Sequence, residues 1–295
     1  MIIKPQSPSQ TEINSVITLY SNGQIEEALD SVGALIKDYP DEALLYNISG
    51  ICYKTIGKLD EAVKSFEKAL AIKPDYAEVH YNLGVTLQEL GQLDAAVKSY
   101  KQALVFKPDY ANACNNLGVT LQKLGQLDAA LKSYEKALAI KPDFADACNN
   151  LGITLKDLGQ LDDAVKSYEQ ALAIKPDYTE AHNNLGNALK DLGQLGAAVK
   201  CYEQALAIKP DFAEAHNNLG NALKDLGHRD AAVKCYEKAV ALKTDYAVAY
   251  HNLGNVLLVL KREDEALVSY ESAITLNPNL DFILGNLLHI KMHLC

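Results

Sequence analysis

The chain repeats itself with a period of 34 residues, and that period constrains the fold more than any local motif. Asn-Leu-Gly recurs on this step at Asn82-Leu83-Gly84, Asn116-Leu117-Gly118, Asn150-Leu151-Gly152, Asn184-Leu185-Gly186, Asn218-Leu219-Gly220 and Asn252-Leu253-Gly254. Prolines keep the same beat at Pro40, Pro74, Pro108, Pro142, Pro176, Pro210 and Pro278, with Thr244 as the one replacement. A second glycine marks mid-unit at Gly57, Gly91, Gly125, Gly159, Gly193 and Gly227. A period of this size belongs to stacked repeats, in which each unit buries its apolar faces only against its neighbours. The register gives a tail at 1–8, a first unit at 9–42, seven further units over 43–280 and a terminal segment at 281–295.

Within the unit Ala213–Tyr246, His216, Leu219, Gly220 and Leu223 share one face at helical spacing. Gly227 ends that first helix in the manner of a C-terminal cap. Ala232, Tyr236, Ala239 and Val240 form the apolar stripe of a second helix. Small residues such as Gly220 and Ala232 let two antiparallel helices approach to the short end of the roughly 8–10 Å range. The expected class is therefore all-α, a tandem array of antiparallel helix pairs.

These residues resemble the tetratricopeptide repeat family. In the unit beginning at Ala145 the family pattern is carried by Leu151, Gly152, Gly159, Ala164, Tyr168, Ala171 and Pro176. The resemblance implies a right-handed superhelix of helix pairs over residues 9–295, with the first helices lining a concave groove. The unit at 9–42 keeps Gly23, Ala28 and Pro40 but has no Asn-Leu-Gly, and reads as a degenerate cap. Lys261 stands where the last full unit should carry its turn glycine.

At about 100° per residue, unit positions 4, 7, 8 and 11 form the buried stripe, and positions 2, 5, 6, 9, 12 and 13 point the other way. The second set carries a row of amides. Position 6 supplies Asn82, Asn116, Asn150, Asn184, Asn218 and Asn252, and Asn286 follows in the terminal segment. Position 5 adds Asn47, Asn115, Asn149, Asn183 and Asn217. Position 9 changes from Val85, Val119 and Ile153 to Asn187, Asn221 and Asn255. Asparagine is a mediocre helix former, so propensity does not explain the row. An amide offers donors and acceptors together, which suits gripping the backbone of an extended peptide. The alternative is that the row solvates a face or helps the repeats pack.

Charges on this face alternate. Asp146, Glu180 and Glu214 occupy position 2, Lys156, Lys190 and Lys224 position 12, and Asp157, Asp191 and Asp225 position 13. Acid and Asn at positions 2, 5 and 6 argue against a clamp for a peptide C-terminal carboxylate. In the last full unit the wall turns apolar with Val248, Leu258 and Val259, the mark of an interaction patch.

Several functions are disfavoured. A formal net charge of -10 argues against nucleic-acid binding, which needs a basic stripe. No apolar run reaches the roughly 20 residues of a membrane span, and MIIKPQSPSQ is no secretion signal. A cytoplasmic setting is expected. His80, His182 and His216 recur one per repeat, too far apart for one metal. His289 and His293 lack the glutamate of a zinc-protease motif. Cys114 and Cys148, and Cys201 and Cys235, are spaced by whole repeats and read as packing residues. No cofactor or metal site and no catalytic constellation is expected in this chain.

The terminal segment is apolar around most of a helix through Phe282, Leu284, Leu287, Leu288 and Met292. Such a helix expects burial, either against a further domain or in a homodimer. Leu284-Gly285-Asn286-Leu287-Leu288-His289, with Lys291-Met292 and Leu294-Cys295, also resembles the junction into the catalytic half of bacterial proteins similar to O-linked N-acetylglucosamine transferase and SPINDLY. Three functional readings follow: a scaffold binding extended peptides along the asparagine row, the substrate-presenting arm of such a glycosyltransferase, or a self-assembling structural protein.

Overall fold

The computed structural model describes residues 7–278. Sixteen α-helices are present among them: α1 (Gln10–Ser21), α2 (Ile25–Asp38), α3 (Ala43–Thr55), α4 (Leu59–Ile72), α5 (Ala77–Glu89), α6 (Leu93–Phe106), α7 (Ala111–Lys123), α8 (Leu127–Ile140), α9 (Ala145–Asp157), α10 (Leu161–Ile174), α11 (Thr179–Asp191), α12 (Leu195–Ile208), α13 (Ala213–Asp225), α14 (Arg229–Leu242), α15 (Ala247–Val259) and α16 (Glu263–Leu276). Odd-numbered helices are the first of each repeat and even-numbered helices the second. Helix formation follows the 34-residue register throughout, and the all-α class is the one expected. The chain divides into two compact units, one ending at Ala147 and one beginning at Cys148.

In the amino-terminal unit, 9–42 is a complete helix pair although it lacks Asn-Leu-Gly. Its start is a capping box: Glu12 N–H donates to Ser9 Oγ at 3.3 Å, and Ser9 N–H donates to Glu12 Oε2 at 2.7 Å. Those Ser9 bonds hold the Glu12 carboxyl below its ordinary range. Val16, Ala28, Val32, Leu45, Ile48 and Cys52 form its core and join the first pair to α3.

Both units share one packing device. The glycine after Asn-Leu lies against a tyrosine of its partner helix, and a Cβ there would meet the ring. At Gly220 the distance would be 2.6 Å to Cε1 of Tyr236. Tyr100, Tyr134, Tyr202, Tyr236 and Tyr270 are fully buried, as are the alanines of the second helices, Ala96, Ala130, Ala198, Ala232 and Ala266. Where the ring is Phe66, Gly50 serves it in the same way.

The turn between helices is a Schellman cap. After α9, Gly159 N–H reaches Lys156 O at 2.9 Å and Gln160 N–H reaches Leu155 O at 2.9 Å, with Gly159 at φ 77°. Lys261 adopts the same turn at φ 58°, the one described non-glycine residue with positive φ. Its N–H reaches Leu258 O at 3.0 Å, and Arg262 N–H reaches Leu257 O at 3.0 Å. The turn is thus kept at a local conformational cost of about 1–2 kcal/mol for a residue with a Cβ.

Two stability outcomes follow. Gly220→Ala, which pushes a methyl into the Tyr236 ring, is expected to lower unfolding free energy by about 1–3 kcal/mol. Lys261→Gly is expected to raise it by roughly 0.5–1 kcal/mol, since glycine's extra unfolded-state entropy offsets part of the relieved strain. Urea melts of the two variants against the parent chain check both.

Candidate functional site

The first helices present the amide row. Its geometry corrects the simple two-sided reading of the helix. Position 5 was expected on the open face, yet Asn47, Asn115, Asn149, Asn183 and Asn217 are buried. Within each unit the first helices α3, α5, α7, α11, α13 and α15 pack against their own second helix and against the second helix of the preceding repeat, so the buried arc is wider than one stripe. Position 6 is half-buried at Asn82, Asn116, Asn150, Asn184, Asn218 and Asn252.

Position 6 of one repeat clasps position 5 of the one before. In the amino-terminal unit, Asn82 Nδ2 donates to Asn47 Oδ1 at 3.1 Å, and Asn116 Nδ2 donates to Tyr81 Oη at 3.2 Å. In the carboxy-terminal unit, Asn184 Nδ2 donates to Asn149 Oδ1, Asn218 to Asn183 and Asn252 to Asn217, each at 3.0 Å. Asn217 Nδ2 donates in turn to Asn218 Oδ1 at 3.4 Å, which links α11, α13 and α15 through side-chain amides. His251 replaces the position-5 amide in α15. Its Nδ1 is buried without a hydrogen-bond partner among the described residues, and burial together with the Lys224 charge lowers its pKa.

Position 9 is also tied to the core. Tyr202 Oη donates to Asn187 Oδ1, Tyr236 to Asn221 and Tyr270 to Asn255, each at 2.8 Å. Where position 9 is Val85 or Val119, the hydroxyl turns to position 12: Tyr100 donates to Gln88 Oε1 and Tyr134 to Gln122 Oε1, each at 3.3 Å. The switch from valine to asparagine is thus a change of acceptor for a buried hydroxyl. Burial raises the pKa of Tyr100, Tyr202 and Tyr236, so these phenols remain donors at neutral pH.

The position-12 lysines lie along the same face in ion pairs. Lys190 Nζ is 3.3 Å from Asp191 Oδ1, Lys224 Nζ is 3.4 Å from Asp225 Oδ1, and Lys156 Nζ is 4.0 Å from Asp191 Oδ2. These are partly exposed pairs of small net energy.

One part of the face had not been singled out from sequence. In the first two repeats position 9 is Ile17 and Ile51, position 6 of the second is Ile48, and Ile17 is 46% exposed. A cavity of about 250 Å³ opens there, bounded by Tyr20, Ile51, Lys54, Phe66, Tyr81 and Val85. A smaller apolar one of about 110 Å³ adjoins it, sharing Tyr20 and Ile51. The signal was Ile48 at the position where later repeats place asparagine.

Val248 and Val259 are exposed, whereas Leu258 packs against the terminal core. His80, His182 and His216 are half-buried rather than on a fully buried stripe. Each Nε2 lies 2.9–3.0 Å from a proline carbonyl of the preceding loop, Pro74, Pro176 and Pro210. Burial pushes the Cys148 and Cys235 thiols up to about 11, away from thiolate chemistry. No described helix is long and apolar enough to cross a membrane. Phe282, Leu284, Asn286, Leu287, Leu288 and Met292 lie outside the described residues.

The acceptor exchange is testable. Asn221→Val strands the Tyr236 hydroxyl and is expected to cost about 1–3 kcal/mol. Adding Lys224→Gln recreates the arrangement around Tyr100 and is expected to recover most of the loss, as read by chemical denaturation of the single and double variants.

The comparisons agree with the array of helix pairs. A family model described as TPR repeat matches residues 52–91, 87–125, 154–193, 186–227 and 220–261. Models described as tetratricopeptide repeat match 111–144, 247–280 and 133–166. No curated protein matches the chain. Among solved structures, MamA is similar at 29% identity and a TM-score of 0.53, over 56% of this chain and 96% of its own. YrrB, described as a TPR protein with an unusual peptide-binding site, aligns at 22% identity and a TM-score of 0.53, over 66% of this chain and 99% of its own. The APC/C hetero-tetramer Cut9-Hcn1 aligns at 18% identity and a TM-score of 0.66, over 98% of this chain and 57% of that one. Repeat register, glycine–tyrosine packing and model matches together place the chain in the tetratricopeptide repeat family.

Proposed function

We propose that this protein is an interaction scaffold whose first-helix face holds extended protein segments, with the position-6 asparagines contacting the bound backbone. The observation that carries the reading is the half-finished hydrogen bonding of Asn218. Asn218 uses one N–H on Asn183 and one lone pair on Asn217. A primary amide has two donors and two acceptor sites, so this side chain keeps capacity for one of each. A peptide unit presents one N–H and one C=O, the matching complement. The clasp also fixes each amide's rotamer in advance, which reduces the ordering cost of binding. Membership of the family supports the scaffold reading, and the peptide-binding site in the description of YrrB is consistent with it.

The two roles of the amide, clasp and contact, separate in a matched pair of variants. Asn218→Ala and Asn183→Ala break the same hydrogen bond, but only Asn218 is half-exposed on the face. Peptides selected from a displayed random 12-residue library would be titrated calorimetrically against both. Asn218→Ala is expected to weaken binding about fivefold to tenfold, in line with one lost hydrogen bond, while Asn183→Ala stays within about twofold. Equal effects would make the row a packing device only. A library that yields no bound peptide would remove the reading.

A further inference from the structure

The amino-terminal cavity differs from the rest of the face in a way the amide row does not explain. Six later repeats place a tyrosine in the second helix, Tyr100, Tyr134, Tyr168, Tyr202, Tyr236 and Tyr270, but α4 carries Phe66. In five of these repeats the tyrosine hydroxyl bonds to a position-9 or position-12 side chain of the first helix. Phe66 has no hydroxyl, and its buried ring forms part of the cavity wall. Position 9 of the same repeat is Ile51, position 12 is Lys54, and the preceding repeat adds Tyr20. The result is a recess edged by three aromatic rings and two aliphatic side chains.

Size and charge define what it would hold. A volume of about 250 Å³ lies below the roughly 300–1,000 Å³ of small-molecule sites and fits one large side chain. Aromatic rings favour an aromatic guest beyond simple burial, through edge and offset contacts. Lys54 is the one charged residue that lines the recess, and its counter-ion, Glu89 Oε1 at 3.0 Å, lies outside the lining. Both members of that pair are partly exposed, so an incoming carboxylate competes for the ammonium at little cost. Tyr20 Oη and Thr55 Oγ1, 3.1 Å apart, add hydroxyls beside it. A basic guest finds no carboxylate in the lining. Asn82, whose Nδ2 clasps Asn47, also borders the recess and joins it to the amide row.

We propose that this recess is an anchor pocket that fixes the register of a bound peptide by taking one aromatic side chain, with an acidic residue beside it drawn to Lys54. The proposal rests on the peptide-binding reading above and adds specificity to a row of amides that contacts backbone alone.

The test is selection of a displayed random 12-residue peptide library on the full chain and on three variants. The parent chain is expected to enrich Phe, Tyr or Trp at one register position with Asp or Glu adjacent. Val85→Phe fills the recess and is expected to weaken an enriched peptide at least tenfold and abolish the aromatic preference. Phe66→Tyr places in α4 the residue that six other repeats accommodate, so it keeps the fold. It is expected to weaken binding threefold to tenfold by putting a hydroxyl into the recess. Lys54→Gln is expected to erase the acidic preference alone. Thermal melts establish folding, and should Val85→Phe melt early, Phe66→Tyr decides. Peptides that bind, respond to Asn218→Ala and yet show no aromatic preference overturn the anchor while leaving the groove reading intact. Aromatic enrichment unchanged in a folded Val85→Phe, or peptide affinity unchanged in Phe66→Tyr, overturns the anchor as well. A library that yields no binders overturns both.

Discussion

A tyrosine ring laid on a glycine sets the spacing of the two helices in each repeat, and most of the chain's other choices answer to it. At Gly84, Gly118, Gly152, Gly186, Gly220 and Gly254 an added Cβ would come within 3 Å of a ring carbon, so the position tolerates no side chain. The ring occupies the volume between the helices and is removed from water. Its hydroxyl cannot be left unsatisfied at that depth without a cost of about 1–3 kcal/mol. In five of the six tyrosine repeats the first helix supplies an acceptor, from position 9 or position 12.

The amide row obeys a related logic. Stacked repeats gain stability from the interface between neighbours, and the position-6 to position-5 clasp is a polar element of that interface. Its members are half-buried on one side and buried on the other. An asparagine at position 6 is thus called for by stacking whether or not a peptide ever binds. The proposed binding would use what stacking leaves at Asn218, an amide held by its clasp with one donor and one acceptor site still open. A solvated, unclasped row would have to be ordered by its ligand.

Sequence reasoning reached the architecture because a translational period needs no long-range information. The 34-residue step located the helix pairs, the turn glycines and even Lys261 as a turn residue. The site was less legible, and for a specific reason. Dividing a helix into two faces at about 100° per residue ignores that each first helix has neighbours on two sides. Asn183 and Asn217 therefore fell on the wrong side of the line. The change from Val85 and Val119 to Asn187, Asn221 and Asn255 was visible, but its cause was not. The partner hydroxyl lies 15 residues away in the second helix and is visible only once the helices are packed. Reading 9–42 as a degenerate cap hides Ile17, and counting 43–76 as an ordinary unit hides Ile48 and Ile51, so the local change in the chemistry of the face goes unseen.

The place where one hydroxyl finds its acceptor also decides what the face offers. When Gln88 or Gln122 accepts from position 12, position 9 is released from polar duty and is valine. When Asn187 or Asn221 accepts from position 9, position 12 is released instead. It becomes Lys190 or Lys224, which pairs with the adjacent aspartate. The first solution gives a wall that is apolar at 9 and neutral at 12; the second gives one that is polar at 9 and charged at 12. The repeat at 145–178 has Ile153 with Lys156, and so offers Tyr168 neither acceptor used elsewhere. In α3 the demand disappears altogether, because Phe66 has no hydroxyl to satisfy. That repeat, like the one at 145–178, has an isoleucine at position 9 and a lysine at position 12, and here Ile51, Lys54 and Phe66 line the recess. A core ring without a hydroxyl asks for no acceptor at positions 9 and 12, and beside Phe66 the residues at those positions, Ile51 and Lys54, line a recess while the ring still packs on Gly50 as the tyrosines pack on their glycines.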